Sequence, residues 1–269
     1  MLTDDMKRRL ESFVADDVEK GDVTGALVPL REIKAKIVTR EKCTLAGIEE
    51  VAFIFEKHGL TVKTLKRDGE KARKSDAIMR ISGLNRSLYE TERVALNIMS
   101  RMSGIATACA EAARLAAPVK VAVTRKTTPG FSVFEKKAAV LGEALPHRAD
   151  LSEMILLKRQ HLREMGGIRK AAVAVREKHG VFEAEVSSVA EAVAAAEAGV
   201  PIIMLDNMPI KEAKRAVAEI RKKGNAAIEI SGGITPANLK KYAALKPDFV
   251  SMGSLTRDAR GVDFSMVTE

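Results

Sequence analysis

The sequence predicts an α/β protein in which an N-terminal α+β sandwich domain precedes an incomplete parallel β/α barrel. From residue 120 onward, short and almost wholly apolar runs alternate with amphipathic stretches of helical periodicity. Strands that are apolar on both faces are typical of parallel sheets covered by helices, and strand–helix alternation indicates a right-handed βα succession. The first hundred residues lack this succession of strands and helices. They instead predict strands along which apolar and charged residues alternate.

The N-terminal region is expected to contain an opening helix, a second helix and three strands of an antiparallel sheet. In chain order these are a helix over 5–19, a strand over 33–37, a helix over 49–58, and strands over 61–66 and 77–81. Ser87–Glu90 matches a capping box, which predicts that a long helix begins there. A break is expected around Ser103–Gly104, followed by a second helix over 105–116.

The domain boundary is placed within this pair of helices. Residues 1–103 are assigned to the sandwich domain and residues 104–258 to the barrel, and the tail 259–269 is expected to fold back on the sandwich domain. The barrel strands are predicted over 121–123, 154–157, 181–186, 202–205, 226–230 and 249–252. Six strands are fewer than the eight of a complete barrel, so the barrel is predicted to be incomplete.

The charge balance is basic, with 45 Lys and Arg against 36 Asp and Glu and a net charge of +9. Nucleic acid is disfavoured as a partner because the chain has no basic tail, no Trp and only two Tyr for stacking on bases.

No apolar run is long enough for a membrane span. Cys43 and Cys109 are far apart in the sequence and are predicted to be buried thiols in a reducing compartment. With acids and no apolar stretch at the N-terminus, a cytoplasmic location is expected.

Polar and glycine residues follow the predicted barrel strands. They are Arg125, Lys126, Lys158, Glu185, Asp206, Ser231, Gly232, Gly233, Gly253 and Ser254, with His147 and Arg148 in the second loop. In a parallel barrel the carboxyl ends of all strands meet at one rim, where active sites lie. The rim would then hold a cationic pocket, two carboxylates and two glycine-rich turns, which suits an acidic substrate and a phosphorylated, metal-bound co-substrate.

The cations are expected to bind carboxylates. An arginine fork binds a carboxylate in bidentate fashion and a lysine supplies a point charge. Lys158 ends an apolar strand, so either an internal acid neutralises it or it faces an anionic ligand. For His147 the two interpretations, a structural histidine and a ligand-binding one, stay equally open.

Glu183 and Glu185 share one face of their strand because side chains alternate. Glu185 is nearer the rim and is predicted to face the ligand. Glu183 lies deeper and could neutralise Lys158 or another inward cation, although a wholly structural ion-pair network is an alternative for both acids. Asp206 is expected to contact ribose hydroxyls or to hold magnesium.

The glycine turns indicate a phosphate site. Glycines allow close approach of the backbone, and free N–H groups at the start of a helix favour an anion. The chain contains no GxGxxG, Walker A, HExxH or Ser-His-Asp pattern, and His161 and His179 lie outside any His/Cys cluster with zinc spacing.

Taken in order, these segments resemble the quinolinate phosphoribosyltransferase family, also called nicotinate-nucleotide pyrophosphorylase (carboxylating). The resemblance covers almost the whole chain, and Thr124–Gly130 (TRKTTPG) is its most specific part. The other matching segments are 21–24, 46–47, 92–97, 103–107, 147–148, 157–158, 185, 205–207, 231–233 and 253.

The resemblance implies a magnesium-dependent transfer of phosphoribose from phosphoribosyl pyrophosphate (PRPP) to quinolinate, with loss of CO2, in NAD biosynthesis. It implies a homodimer, or a higher oligomer built from dimers, in which Arg93 reaches the partner's site. The implied quinolinate-binding set is Arg93, Arg125, Lys126, His147, Arg148, Lys158 and His161. The implied catalytic residues are Lys126, Lys158, Glu185 and Asp206, with Glu185 and Asp206 also the magnesium ligands. The implied phosphate-binding residues are Ser231, Gly232, Gly233, Gly253 and Ser254.

The sequence departs from the family pattern at two places beside the substrate pocket. Glu143–Ala144 stand where the family commonly has glycines, and Arg159–Gln160 follow Lys158 where it usually has Asp-Asn. Pro146 before His147 is a feature of a molybdenum-associated paralog of the same fold. Two alternatives therefore stay open: a phosphoribosyltransferase acting on another acidic base, and a non-catalytic barrel that binds a phosphorylated ligand.

Overall fold

A computed structural model describes residues 1–177 and 180–269, so His179 lies outside the described residues. The chain divides into two compact units. The first comprises residues 1–110, 127–143 and 258–269, and the second comprises residues 111–126 and 144–257. In the described part of the chain, no helix has the length and apolar character needed to cross a membrane.

The first unit combines helices with an antiparallel sheet of four strands in the order β12-β1-β5-β3. The strands of the unit are β1 Glu32–Thr39, β2 Cys43–Thr44, β3 Thr61–Thr64, β4 Lys71–Ala72, β5 Ala77–Leu84 and β12 Phe264–Thr268, with β2 and β4 forming a separate pair. The helices are α1 Asp4–Val18, α2 Ile48–Lys57, α3 Asn85–Ala116, which continues into the second unit, α4 Ser132–Leu141, and a short 3-10 turn at Gly25–Leu27.

The helix α1 shows how the sequence produces this unit. Thr3 caps the helix because its side chain accepts a hydrogen bond from the backbone N–H of Met6. Met6, Leu10 and Val14 are buried and recur every four residues, so they form one apolar face. The last strand, β12, pairs antiparallel with β1 along Ala35–Thr39.

Two expectations for the long helix are wrong. α3 begins at Asn85, so Ser87 lies inside it, and the helix passes through Ser103–Gly104 without a break. Ser103 Oγ hydrogen-bonds both the N–H and the carbonyl of Ala46 at 3.0 Å. A Cβ on Gly104 would collide with the carbonyl of Arg260. These small residues therefore allow close packing on a continuous helix instead of ending it.

The second unit is built on six parallel strands. They are β6 Lys120–Ala122, β7 Ile155–Leu157, β8 Phe182–Val186, β9 Ile202–Asp206, β10 Ala227–Ser231 and β11 Phe249–Ser251, in the order β6-β11-β10-β9-β8-β7. Leu145 adds a single parallel bridge to Ala122. The helices of this unit are α5 Arg159–Glu164, α6 Ile168–Arg176, α7 Val189–Glu197, α8 Ile210–Lys223, α9 Pro236–Ala243 and α10 Ser254–Arg257. The predicted fold class, with an incomplete parallel β/α barrel, is confirmed.

β8 shows why the barrel strands are almost wholly apolar and yet carry acids. Phe182, Ala184 and Val186 are buried on one face, and Glu183 and Glu185 alternate with them on the other. The alternation therefore carries both glutamates to the same side of the sheet, at two different depths.

Candidate active site

The predicted strand-end residues lie at one end of the parallel sheet. Lys158 directly follows β7, and Glu185 is the next-to-last residue of β8. Asp206 and Ser231 are the last residues of β9 and β10 and face each other in the strand register. Since all six strands run in the same direction, their carboxyl ends form one rim, which is where β/α barrels carry their sites.

Glu185 is the centre of the charged part of this rim. Its Oε1 lies 3.9 Å from Nζ of Lys158. Burial raises the pKa of Glu185 above its ordinary value; the charge of Lys158 works against this, whereas the charge of Asp206 adds to it. Arg148 also acts on Glu185 and lowers its pKa. Glu183 was the acid that the sequence offered as a partner for Lys158, but the acid found beside Lys158 is Glu185.

Glu183 instead belongs to a second cluster, in which both carboxylates are fully buried and the histidine is nearly so. Nε2 of His147 lies 3.4 Å from a carboxylate oxygen of Glu183 and 3.5 Å from one of Glu229. Among the described residues, neither oxygen of Glu183 has a hydrogen-bond partner. The charge of Glu183 is therefore balanced by His147, which is the inward cation that the sequence left unidentified.

The two carboxylates change how His147 titrates. Burial disfavours the charged imidazole, but the close approach and negative charge of Glu183 and Glu229 outweigh it and raise the pKa of His147 to about 9. Burial raises the pKa of Glu183 to about 7, opposed by His147 and reinforced by Glu229. The cluster thus holds protons more tightly than free side chains do.

His147, Glu183 and Glu229 also have ligand atoms close enough to hold a metal, all within 4.8 Å of one another. However, Nδ1 of His147 accepts a hydrogen bond from the backbone N–H of Arg148 at 2.8 Å. In the neutral imidazole, Nε2 is therefore the nitrogen that carries the proton and faces the carboxylates. A metal bound by this cluster would need the Nε2 lone pair and would have to displace that proton.

Glu229 was missed by the sequence analysis. It is fully buried in β10 and accepts a hydrogen bond from Ser251 Oγ, which also contacts Ser231 Oγ at 2.7 Å. The available signal was a single acid in an otherwise apolar strand, the same signal that identified the glutamates of β8. The chain Glu229–Ser251–Ser231 links the buried cluster to the rim.

The glycine turns are shaped by their neighbours. Gly232 has φ +83°, and a Cβ there would overlap the side chain and backbone N of Asn207. A Cβ on Gly253 would lie 2.7 Å from Cδ of Lys126. Asn207 also donates to Asp206 Oδ1 at 3.0 Å. Any side chain at these two positions would therefore disturb residues that belong to the predicted site.

The remaining predicted residues have varied surroundings. Arg148 is buried and its Nη1 donates to the carbonyl of Met154 at 2.9 Å. His161 is exposed, and its Nδ1 accepts from the backbone N–H of Lys158 at 3.1 Å. Arg125 is exposed. Ser254 begins α10, and its buried Oγ has no hydrogen-bond partner in the described ranges.

Arg93 lies in the first unit, exposed on α3. It lines a cavity of about 580 Å³ together with Phe13, Asp16 and Arg101. Arg101 in turn binds Glu135, an acid that the sequence analysis also missed.

Glu135 anchors the TRKTTPG segment within the first unit. It is fully buried and accepts two hydrogen bonds from Arg101, at 2.7 and 3.0 Å, and two from Thr128, at 2.9 and 3.0 Å. Four charge-assisted or strong hydrogen bonds make a buried carboxylate tolerable. The anchor therefore gives the Thr128 end of the segment a defined position.

A cavity of about 750 Å³ adjoins the rim carboxylates. Its lining includes Glu185, Asp206 and Asn207 on the side of the strands, and Arg159 and Arg163 from α5. A parallel barrel whose rim carries carboxylates and a cavity lined by both acids and arginines is typical of an α/β-barrel enzyme that binds anionic ligands.

Comparison with known proteins identifies the family. Residues 105–267 match the model of the quinolinate phosphoribosyl transferase C-terminal domain, and residues 22–103 match that of the N-terminal domain. The chain is 41% identical over 253 residues to a probable nicotinate-nucleotide pyrophosphorylase [carboxylating] of Archaeoglobus fulgidus, covering 91% of this chain and 97% of the relative. The human nicotinate-nucleotide pyrophosphorylase [carboxylating] is 37% identical over 241 residues, covering 87% and 81%.

Solved structures support the same family assignment. The nicotinate-nucleotide pyrophosphorylase of Francisella tularensis superposes with a TM-score of 0.94 at 30% identity, covering 100% of this chain and 98% of that one. The corresponding protein of Ehrlichia chaffeensis gives 0.93 at 26% identity, covering 97% and 98%. The chain belongs to the quinolinate phosphoribosyltransferase family.

Proposed function

We propose that this protein transfers the phosphoribosyl group of PRPP to quinolinate and releases diphosphate and CO2, giving nicotinate mononucleotide for NAD biosynthesis. The relatives named above carry this activity in their names. The observation that carries the proposal is the rim itself, where Lys158, Glu185 and Asp206 lie at the same end of the sheet as the Ser231–Gly233 turn. Cations for a dicarboxylate and backbone amides for a phosphate are thus available on one rim.

Quinolinate is a dicarboxylate, so its site needs cations. The proposed set is Arg93, Arg125, Lys126, His147, Arg148, Lys158 and His161. Within the second unit, Arg148 and Lys158 are the best supported, since the charges of both act on Glu185 at the rim. His147 has both ring nitrogens engaged, by Glu183 and Glu229 on one side and by Arg148 N–H on the other.

The phosphate of PRPP is assigned to the glycine turns, with Ser231, Gly232, Gly233, Gly253 and Ser254 as its contacts. Gly232 at φ +83° and Gly233 at φ +62° have no side chain of their own that would keep a ligand from their backbone. Such turns before a helix present N–H groups to an anion. The buried, unpartnered hydroxyl of Ser254, in the described part of the chain, is consistent with a ligand contact.

Magnesium fits the pair Glu185 and Asp206. Both are partly exposed carboxylates that line one open cavity, and Mg²⁺ prefers one or two carboxylates together with phosphate oxygens. When bound, the ion would neutralise charge on the diphosphate. The same carboxylates, together with Lys126 and Lys158, would form the catalytic group.

The chain's residues would act by position and charge. As the bond between ribose C1 and the diphosphate breaks, C1 gains positive charge, which Glu185 and Asp206 stabilise. The pyridine nitrogen of quinolinate, oriented by Arg148 and Lys158, attacks C1. The positive ring nitrogen then accepts the electron pair left when CO2 departs from C2, and a proton replaces CO2 at that carbon.

A homodimer, or an oligomer built from dimers, is part of the proposal, with Arg93 reaching the partner's site. Its support is the exposed position of Arg93 beside an open cavity of the first unit. A cytoplasmic location is supported by the two free, buried cysteines.

The direct test mixes the protein with quinolinate, PRPP and Mg²⁺ and measures nicotinate mononucleotide and CO2. Formation of both, dependent on all three components, is expected. Nicotinate and other pyridine or acidic ring carboxylates serve as the comparison, because a paralog acting on another base would prefer one of them. Binding of PRPP without release of diphosphate from any base would contradict the proposal and favour a binding protein.

A further inference from the structure

The cavity beside Glu185 and Asp206 has a cationic wall that the proposed catalytic residues do not account for. This wall is helix α5, which contributes Arg159 and Arg163. Residues four apart on a helix lie on the same face, one turn from each other. The two guanidinium groups therefore border the same space of about 750 Å³ as the two carboxylates.

Neither arginine is engaged within the protein. Among residues 1–177 and 180–269, the guanidinium groups of Arg159 and Arg163 have no hydrogen bond and no ion pair. Other arginines of the second unit do: Arg169 binds Glu197 at 2.7 Å, and Arg221 binds Asp248 at 2.7 Å. What distinguishes the α5 pair from a surface arginine such as Arg215, which is also unpaired among the described residues, is that both of its members line the cavity.

The acids of the same cavity are engaged elsewhere. Glu185 lies near Lys158, Asp206 accepts from Asn207, and Glu191 accepts from the backbone N–H of Ser187 at 2.7 Å. The cavity is thus lined by two arginines that are unpaired within the described chain and by two carboxylates that could hold a divalent metal. A ligand that pairs with both kinds of group would carry several negative charges together with a metal ion.

A diphosphate–metal complex meets these requirements. Arginine forks bind phosphoryl oxygens in bidentate fashion, and Glu185 and Asp206 would hold the metal, which would neutralise charge on the phosphates. We propose that Arg159 and Arg163 form a binding subsite for the diphosphate group that PRPP carries and releases. This inference rests on the proposed function for the identity of the diphosphate donor.

The test measures binding of inorganic diphosphate with Mg²⁺ to the full chain by titration calorimetry. The variants are Arg159→Gln, Arg163→Gln and the double substitution. Arg215→Gln is the matched control, because Arg215 is exposed on α8, outside the cavity lining. Each single variant is expected to bind about 10-fold more weakly and the double variant about 100-fold, as for charge-assisted phosphate contacts. The control is expected to bind like the wild type.

Steady-state kinetics provide the second readout. The KM for PRPP should rise in the α5 variants, whereas the KM for quinolinate should stay unchanged. Circular dichroism confirms that the variants are folded, and substitutions of exposed residues on a short helix leave the core intact. The subsite is refuted if the wild type does not bind diphosphate. It is also refuted if the double variant binds diphosphate as tightly as the wild type.

Failure of the subsite and failure of the reaction give different results. Arginine-dependent diphosphate binding without turnover of quinolinate would leave the subsite standing and refute the reaction. Turnover of quinolinate with an unchanged KM for PRPP in the double variant would support the reaction and refute the subsite.

Discussion

Glu183 and Glu185 are two residues apart on one face of one strand, yet their surroundings differ. Glu183 is fully buried, and Nε2 of His147 lies 3.4 Å from its carboxylate. Glu185 is partly exposed, lies 3.9 Å from Lys158, and borders an open cavity. The comparison teaches that depth along one strand, not residue type, decides whether a carboxylate contacts a buried histidine or lies beside a rim lysine.

The same contrast appears on the neighbouring strands. Glu229 lies in the interior of β10 and is bonded to Ser251, whereas Asp206 ends β9 and shares the cavity with Glu185. The second unit therefore has an inner layer in which charges neutralise one another and an outer layer in which they remain available. Mutations of matched acids in the two layers should have opposite signatures.

The largest effect is expected in the outer layer. Glu185→Gln and Asp206→Asn keep the shape of the side chains. They remove the charges that stabilise the positive charge developing at ribose C1 and that hold magnesium. We expect kcat/KM to fall by about 100- to 1000-fold, or about 3–4 kcal/mol, with little change in the free energy of unfolding. Enzyme assays and urea unfolding on the same preparations check this. Wild-type turnover in either variant would contradict the assignment of the outer layer.

The inner layer should instead control how stability depends on pH. The pKa of His147 is raised from 6.5 to about 9 in the folded protein, so its contribution is fully present below pH 6.5 and is lost as pH rises through 9. A shift of this size corresponds to about 3 kcal/mol. The raised pKa of Glu183 acts in the same direction.

Urea unfolding between pH 6 and pH 10 tests this, with Glu229→Gln as the variant. Removing one carboxylate should lower the pKa of His147 and move the loss of stability to lower pH. Identical pH profiles for the variant and the wild type would show that the inner cluster does not hold the proton.

A smaller effect is expected at the turn that joins the rim acids to the phosphate site. Gly232→Ala would place a methyl group against Asn207 at a positive φ, which costs about 1–3 kcal/mol. We expect a lower melting temperature and a higher KM for PRPP. Gly224→Ala is the control, since nothing lies within 4 Å of a Cβ there. Equal effects at the two positions would argue against a shaped turn at Gly232.

Much of the site could be predicted because it depends on order along the chain. A residue that follows a buried parallel strand must lie at the carboxyl end of the sheet, so Lys158, Asp206 and Ser231 were placed by pattern alone. Glu185 was chosen over Glu183 by counting along one strand. Such inferences need only the two-residue period of a strand and the common direction of the sheet.

Other features could not be obtained this way. Ser103–Gly104 has the composition of a helix break, but packing against Ala46 and Arg260 makes it part of a continuous helix. The partners of Glu183 come from residues 36 and 46 positions away, and the hydrogen bonds of Glu135 with Arg101 span 34. Such pairings depend on three-dimensional distances that no local pattern contains.

The amino-acid order alone therefore specified the parallel barrel, its rim and the chemical kinds of side chain on it, because alternation and strand direction are local properties of the backbone. Folding in three dimensions selected which charges neutralise one another and which stay open. Whether a carboxylate contacts a histidine in the barrel interior or borders an arginine-lined cavity is set by burial and by distances of a few ångströms between remote segments.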